Sequence, residues 1–281
     1  MSSRNLLNLA LLALAGILAL VIFYQPGITP EPAPQAVTAL SGENIKRIQV
    51  VRMTRDPLTF TRHDGEWFLS GDRELPASNF QVSSLLAVLQ TAAIRSYPVD
   101  SVEPETLGLA PPLATLTLDN VHFKIGITDA LDKLRYLQTG DTVFLVSDRY
   151  QHLISADWPG FVSRKLLPAS AGISQLQLPH TILSLSADNQ WQQSAATDSV
   201  DAGKLQILVD SWQQASATYI RHYQPVTGSE TVTLEFSTAA EAVTFQIVAR
   251  TPELILARPD LGIQYHLQAD MAGILLAVPE E

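Results

Sequence analysis

Hydrophobic landmarks recur at an offset of 122–124 residues along most of this 281-residue chain, and that recurrence narrows the possible folds more than any other feature. Val82, Leu85, Leu86 and Leu89 match Leu205, Leu208, Val209 and Trp212, and both sets follow the i, i+3, i+4, i+7 spacing of a buried helix stripe. Trp67 matches Trp191, each shortly after a tight-turn dipeptide, Asp64-Gly65 or Asp188-Asn189, of the kind that closes hairpins. Val121–Ile125 matches Val243–Ile247, both alternating like half-buried strands. Val143–Asp148 matches Tyr265–Asp270. Four matches in chain order at one offset indicate a duplication.

Each copy reads as strands, one helix, then more strands. In the first, strands are expected near Ile48–Met53, Leu58–Arg62 and Trp67–Leu69, then a helix over Asn79–Ile94 with Ser78 as N-cap. Strands follow near Ala114–Leu118, Val121–Ile125, Arg135–Thr139 and Thr142–Val146. The second copy starts near Ile173, with its helix over Asp201–Ala217 and Asp201 as the cap. Hairpin turns imply antiparallel pairing, so the expected class is α+β: two tandem units, each an antiparallel β-rich sheet with one main helix. The joint is placed at Leu167–Gly172, a small stretch bearing Pro and Gly.

Ahead of the repeats, Leu6–Tyr24 is a 19-residue run with one polar side chain, Asn8. As a helix it would cover roughly 28 Å, close to the ~30 Å hydrocarbon core of a bilayer. Arg4 precedes it, and the next cations are Lys46 and Arg47. By the positive-inside rule the N-terminus faces the cytoplasm and the body lies outside it. The rival reading is a cleaved signal peptide, but the run exceeds the usual ~7–15 residues and no small-x-small site adjoins it. The expectation is therefore a single-pass inner-membrane anchor over residues 1–24, with the lipid bilayer as partner and the body in the periplasm. A Pro/Ala-rich tether over 25–42 follows, with Pro26, Pro30, Pro32 and Pro34 favouring extended polyproline II. The first unit then spans 43–168 and the second 169–281.

Composition removes several function classes. No cysteine is present, which excludes disulfide frameworks, thiolate metal sites, cysteine nucleophiles and a lipidated cysteine. A net charge of -10 argues against nucleic acid as a partner, because phosphate binding needs clustered Lys and Arg. That charge divides unequally: residues 42–168 carry 13 Lys+Arg and 15 Asp+Glu, whereas 169–281 carry 4 and 12. No G-x-S-x-G, Ser-x-x-Lys, phosphate-loop, H-E-x-x-H or EF-hand pattern occurs, and the six histidines are scattered singly. No catalytic, cofactor or metal residue is assigned, and the protein is expected not to be an enzyme.

Three patches have both a functional and a plain structural reading. Asp129, Asp132 and Asp141 flank the Arg135-Tyr136 strand and read as a solvated edge. The segment Trp158–Leu167 combines aromatics with positive charge, and Trp158, Phe161, Arg164 and Lys165 are its candidates for partner binding or for packing between the units. Trp67 and Trp191, at matching positions, read as core anchors.

The run Leu107-Gly108-Leu109-Ala110-Pro111-Pro112, then Ile125-Gly126, Arg135-Tyr136, Val143–Val146 and Arg164–Leu167, resembles a bacterial family described only as a domain of unknown function. The likeness covers Ile45 to about Leu167; the second unit has Thr227-Gly228-Ser229 where the Gly-Leu-x-Pro-Pro run would stand. Gly108, Leu109, Pro111, Pro112, Arg135 and Tyr136 carry the motif, which also reads structurally as a rigid turn into an edge strand. Members resembling this chain typically have one membrane segment and an extracytoplasmic repeat body, and are often encoded beside gliding-motility-type ABC transporter subunits. The resemblance implies a non-catalytic accessory or substrate-binding-like subunit with transporter subunits as partners. The alternative is a cell-envelope scaffold independent of a transporter.

Overall fold

The computed structural model describes residues 11–20, 35–168, 172–194, 201–237 and 241–278. The chain divides into two compact units, Met1–Gln35 and Ala36–Glu281. In the first, the described residues include one helix, α1 (residues 11–20), whose side chains are all exposed. The ten described residues of this helix cover about 15 Å. Among the described residues no helix is long and apolar enough to cross a membrane. This overturns the expected transmembrane anchor over Leu6–Tyr24, and with it the signal-anchor reading and the inner-membrane location. The flanks of that apolar run, the four tether prolines and residues 169–171 of the expected joint lie outside the described residues.

The body holds two antiparallel sheets. The first contains β1 (Gln35–Ala36), β2 (Arg47–Arg52), β3 (Arg55–His63), β4 (Glu66–Ser70) and β5 (Leu75–Pro76). Helix α2 (Asn79–Leu86) follows, then β6 (Ala92–Pro98), β7 (Ala114–Leu118), β8 (Val121–Thr128), β9 (Leu134–Thr139), β10 (Thr142–Ser147) and the short helix α3 (Gln151–Ser155). Its strand order is β1-β6-β10-β9-β8-β7-β2-β3-β4-β5. The β3–β4 turn uses Asp64 and Gly65 at φ 53° and 82°, the paired left-handed geometry that matches strand twist in a two-residue hairpin.

The second sheet contains β11 (Ile173–Leu178), β12 (Thr181–Leu185) and β13 (Trp191–Ser194), then helix α4 (Ala202–Gln214). It continues with β14 (Tyr219–His222), β15 (Thr231–Phe236), β16 (Val243–Ala249), β17 (Leu254–Arg258), β18 (Ile263–Leu267) and helix α5 (Met271–Leu276). Read from β14, its order is β14-β18-β17-β16-β15-β11-β12-β13. Position by position this matches β6-β10-β9-β8-β7-β2-β3-β4 of the first sheet. Residues separated by the recurrent offset therefore occupy equivalent strands. Ser78 caps α2 by accepting from the Gln81 amide, and Asp201 caps α4 by accepting from Gly203. Leu205, Leu208, Val209 and Trp212 are all buried on α4, and the Trp212 indole donates to the Leu275 carbonyl at 2.8 Å.

The class is mostly β rather than the expected α+β: 43% of the described residues are strand and 24% helix. Helix length explains the difference. The helix expected over Asn79–Ile94 stops at Leu86, passes through a 3-10 turn at Ala87–Gln90 and becomes β6. The one expected to reach Ala217 stops at Gln214 and is followed by β14. Thr91 and Ile94 are β-branched and favour extended backbone, and β6 gains a ladder with β10. Buried side chains of both sheets, including Trp67 and Trp191, belong to one hydrophobic cluster.

Candidate functional site

Two backbone segments, 164–166 and 215–217, pair to join the two repeats. Leu166 donates to the Ala215 carbonyl at 3.1 Å, Ala217 donates to that of Arg164 at 2.8 Å, and Lys165 bridges Ser216. Beside this pairing, the 3-10 turn Trp158–Phe161 lies against β14. Asp157 caps that turn through the Trp158 amide and receives the His222 ring at 2.7 Å, with Arg55 at 3.7 Å. The Trp158 ring meets His222 edge-on, 5.0 Å between centroids. Burial alone would raise the Asp157 carboxyl, but the bonds from His222 and the Trp158 amide outweigh it and hold the group below the usual carboxylate range.

Next to this clasp opens a cleft of about 690 Å³. It is lined by the turn end of the β2–β3 hairpin, the β4–β5 connection, Asp157 and Trp158, and the β17–β18 turn Pro259–Gly262. The turn at Gly262 has φ 69°, a left-handed conformation that suits glycine. Leu58, Leu69, Leu75, Trp158 and Leu261 supply the apolar part of the wall. Six lining side chains are charged: Arg52, Asp56, Asp72, Arg73, Asp157 and Asp260. Asp260 is paired with Arg258 through two bonds, at 2.9 and 2.7 Å.

Arg52 is the unusual member. Its side chain is only 6% exposed, yet no carboxylate forms an ion pair with it among the described residues. Instead its two terminal nitrogens donate to the carbonyls of Ala156 at 2.5 Å and Asp56 at 2.7 Å, and its Nε is buried without a hydrogen-bond partner. Burial, aided by the nearby Arg55 charge, lowers its pKa from the ordinary guanidinium value.

The expected segment divides by role. Trp158 lines the cleft and touches the second sheet, whereas Phe161 is fully buried against Phe60, 5.8 Å between rings. The side chains of Arg164 and Lys165 are exposed, and only their backbone joins the repeats. The motif residues lie elsewhere in the first sheet. Gly108, at φ 65°, starts a loop in which Leu109 is fully buried and bridges Pro112, with Pro111 between them. A Cβ on Gly126 would come within 2.2 Å of the Leu107 carbonyl, so the loop packs directly on β8 backbone. Arg135, 3% exposed, locks that region: it donates to the Gly126 carbonyl at 2.7 Å, to both Asp148 oxygens at 2.8 and 2.7 Å, and to Gln151 at 3.0 Å. The Arg135 contact is the main cause holding the Asp148 carboxyl low. Tyr136, half-buried, is raised by desolvation. These contacts describe a structural lock.

Two members of the acidic patch have local partners. Asp129 accepts from the backbone of Leu131 and Asp132, and Asp132 pairs with Arg95.

A second polar cluster has no signal in the sequence pattern. In the second sheet Glu253 accepts from Tyr219 at 2.9 Å and lies 2.8 Å from the buried His266 ring. Gln264 lies 3.0 Å from the other His266 nitrogen. The His266 contact first, then the Tyr219 bond, keep the Glu253 carboxyl below its ordinary value. Every member is engaged within the cluster. Among the described residues no group of three or more His, Asp or Glu is placed to hold a metal ion. Arg52, Asp72, Arg73 and Asp260 carry no motif in the sequence: Arg52 ends strand β2, the other three sit in ordinary turns, and Asp260 joins the rest only when the second repeat packs on the first. Compared with family models, curated proteins and solved structures, the chain matches none.

Proposed function

We propose that this chain is a non-catalytic binding protein that holds a small ligand in the cleft between its two sheets. One observation carries the reading: a cleft of about 690 Å³, within the ~300–1,000 Å³ of ligand sites, combines an apolar wall with a few placed charges drawn from both repeats. Ligand-holding clefts favour such junctions, since each repeat supplies part of the wall and neither is complete alone. The polar clusters outside the cleft satisfy one another and offer no convergent group to a substrate. On the resemblance of residues 45–167, its role is that of an accessory or substrate-binding-like subunit of an ABC transporter.

Two experiments test this. Thermal unfolding of the full chain against a broad panel of small metabolites should give at least one stabilising ligand. Saturation near 100 Kd corresponds to about 2.7 kcal/mol, a rise of roughly 5–10 °C for a body of this size. Trp158→Ala should abolish the rise. A panel without a hit, or a rise that survives Trp158→Ala, contradicts the cleft as the site. Affinity purification followed by mass spectrometry tests the transporter role, and recovering no transporter subunit counts against it.

A further inference from the structure

We infer that the cleft takes a zwitterion with an apolar side chain, of amino-acid or short-peptide size; this rests on the cleft being a binding site. The chemistry follows from which lining charges are already engaged. Asp157 is held by His222, Arg55 and the Trp158 amide, and Asp260 by Arg258. Two carboxylates are left, Asp56 and Asp72, whose side chains are exposed and form no hydrogen bond or ion pair among the described residues.

Against them stand two guanidinium groups. Arg52 lines the cleft with its Nε buried and its terminal nitrogens on neutral carbonyls, and Asp157 and Asp56 act on its charge only from beyond ion-pair distance. Arg73 is exposed and forms no ion pair within 4.0 Å among the described residues. Planar guanidinium donors suit a carboxylate, which supplies two acceptor oxygens and a charge at once. A lone anion would meet Asp56 and Asp72, and a lone cation would meet Arg52 and Arg73. A molecule carrying both signs satisfies each set. Leu69, Leu75, Trp158 and Leu261 provide an apolar wall for its side chain.

The test is isothermal titration of the full chain with L-leucine, leucyl-leucine, N-acetyl-leucine, leucinamide, and a neutral sugar of similar size. Leucine or leucyl-leucine should bind, and removing either charge, by acetylation or amidation, should weaken binding at least about tenfold. Asp72→Asn and Asp56→Asn should weaken the zwitterion while leaving N-acetyl-leucine unchanged. Arg52→Lys should weaken every carboxylate but not leucinamide. Because Arg52 is buried, thermal melts accompany that variant, and the exposed Asp72→Asn and Arg73→Ala keep the test decisive should it not fold. Equal binding of free and capped forms, or binding of the sugar alone with loss in Trp158→Ala, overturns the ligand class while leaving a binding cleft. Failure of both zwitterions overturns the class, and the broad metabolite panel then decides separately whether the cleft binds at all.

Discussion

Replacing Arg135 with Met keeps much of the apolar stem and removes the guanidinium that locks the Gly108 loop. Three things lose their partner together: the Gly126 carbonyl, both Asp148 oxygens and Gln151. Breaking a buried ion pair by deleting one member costs about 3–5 kcal/mol, largely because the other charge is stranded. Asp148 retains 21% side-chain exposure and still accepts from Thr128 and the Tyr150 amide. The low end, about 3 kcal/mol, is therefore expected. With a urea slope near 3 kcal/mol/M, that moves the unfolding midpoint down by about 1 M. Wild type, Arg135→Met, Asp148→Asn and the double variant, followed by tryptophan fluorescence in urea, form a cycle whose coupling term isolates the pair. The native Asp148 carboxyl is depressed, so its contribution is complete above about pH 4 and disappears as pH falls through the native value. Arg135→Met should flatten that acid limb. A midpoint shift below ~0.3 M, or an unchanged acid limb, would refute the lock.

Three further outcomes follow from the same packing. Gly126→Ala drives a Cβ into the Leu107 carbonyl and should cost at least ~2–3 kcal/mol, whereas Gly140→Ala, in open space at φ 53°, should cost only about 1 kcal/mol; chemical denaturation compares them. Trp212→Ala removes a fully buried ring and its bond to Leu275, and should lower stability by about 3–5 kcal/mol in calorimetry. The Asp157 carboxyl is depressed by the clasp with His222, so the clasp's contribution holds above about pH 4 and is lost as pH falls through the native value. Asp157→Asn should be less stable than wild type at pH 6 and converge with it as pH falls below the depressed native value. Equal stability at pH 6 would show that the clasp contributes nothing.

The recurrent offset pairs Trp67 with Trp191 and Val82 with Leu205, and the fold places each pair on equivalent elements. Turn chemistry was equally readable: Asp64-Gly65 and the Ser78 and Asp201 caps report local backbone needs that neighbouring residues alone satisfy. Helix ends were not. Residues Thr91–Ile94 continue an apolar rhythm compatible with either state, and only pairing with β10 settles it as strand, which turned an α+β expectation into a mostly β fold. The anchor expectation rested on apolarity along Leu6–Tyr24, whereas among the described residues no helix is long and apolar enough to cross a membrane. For the candidate site, Trp158 stood out through its aromatic, basic surroundings. Arg52, at the end of β2, and Asp260, in the β17–β18 turn, lie 208 positions apart, and docking of the repeats alone brings them to one cleft.

The central claim is that the cleft is a binding site, and a crystal of the full chain soaked with a chemically diverse fragment library tests it most directly. Bound fragments are expected between Arg52, Trp158 and Leu261, with acidic groups directed toward Arg52 and Arg73. Fragments that cluster on other surfaces and leave this cleft without density would contradict it.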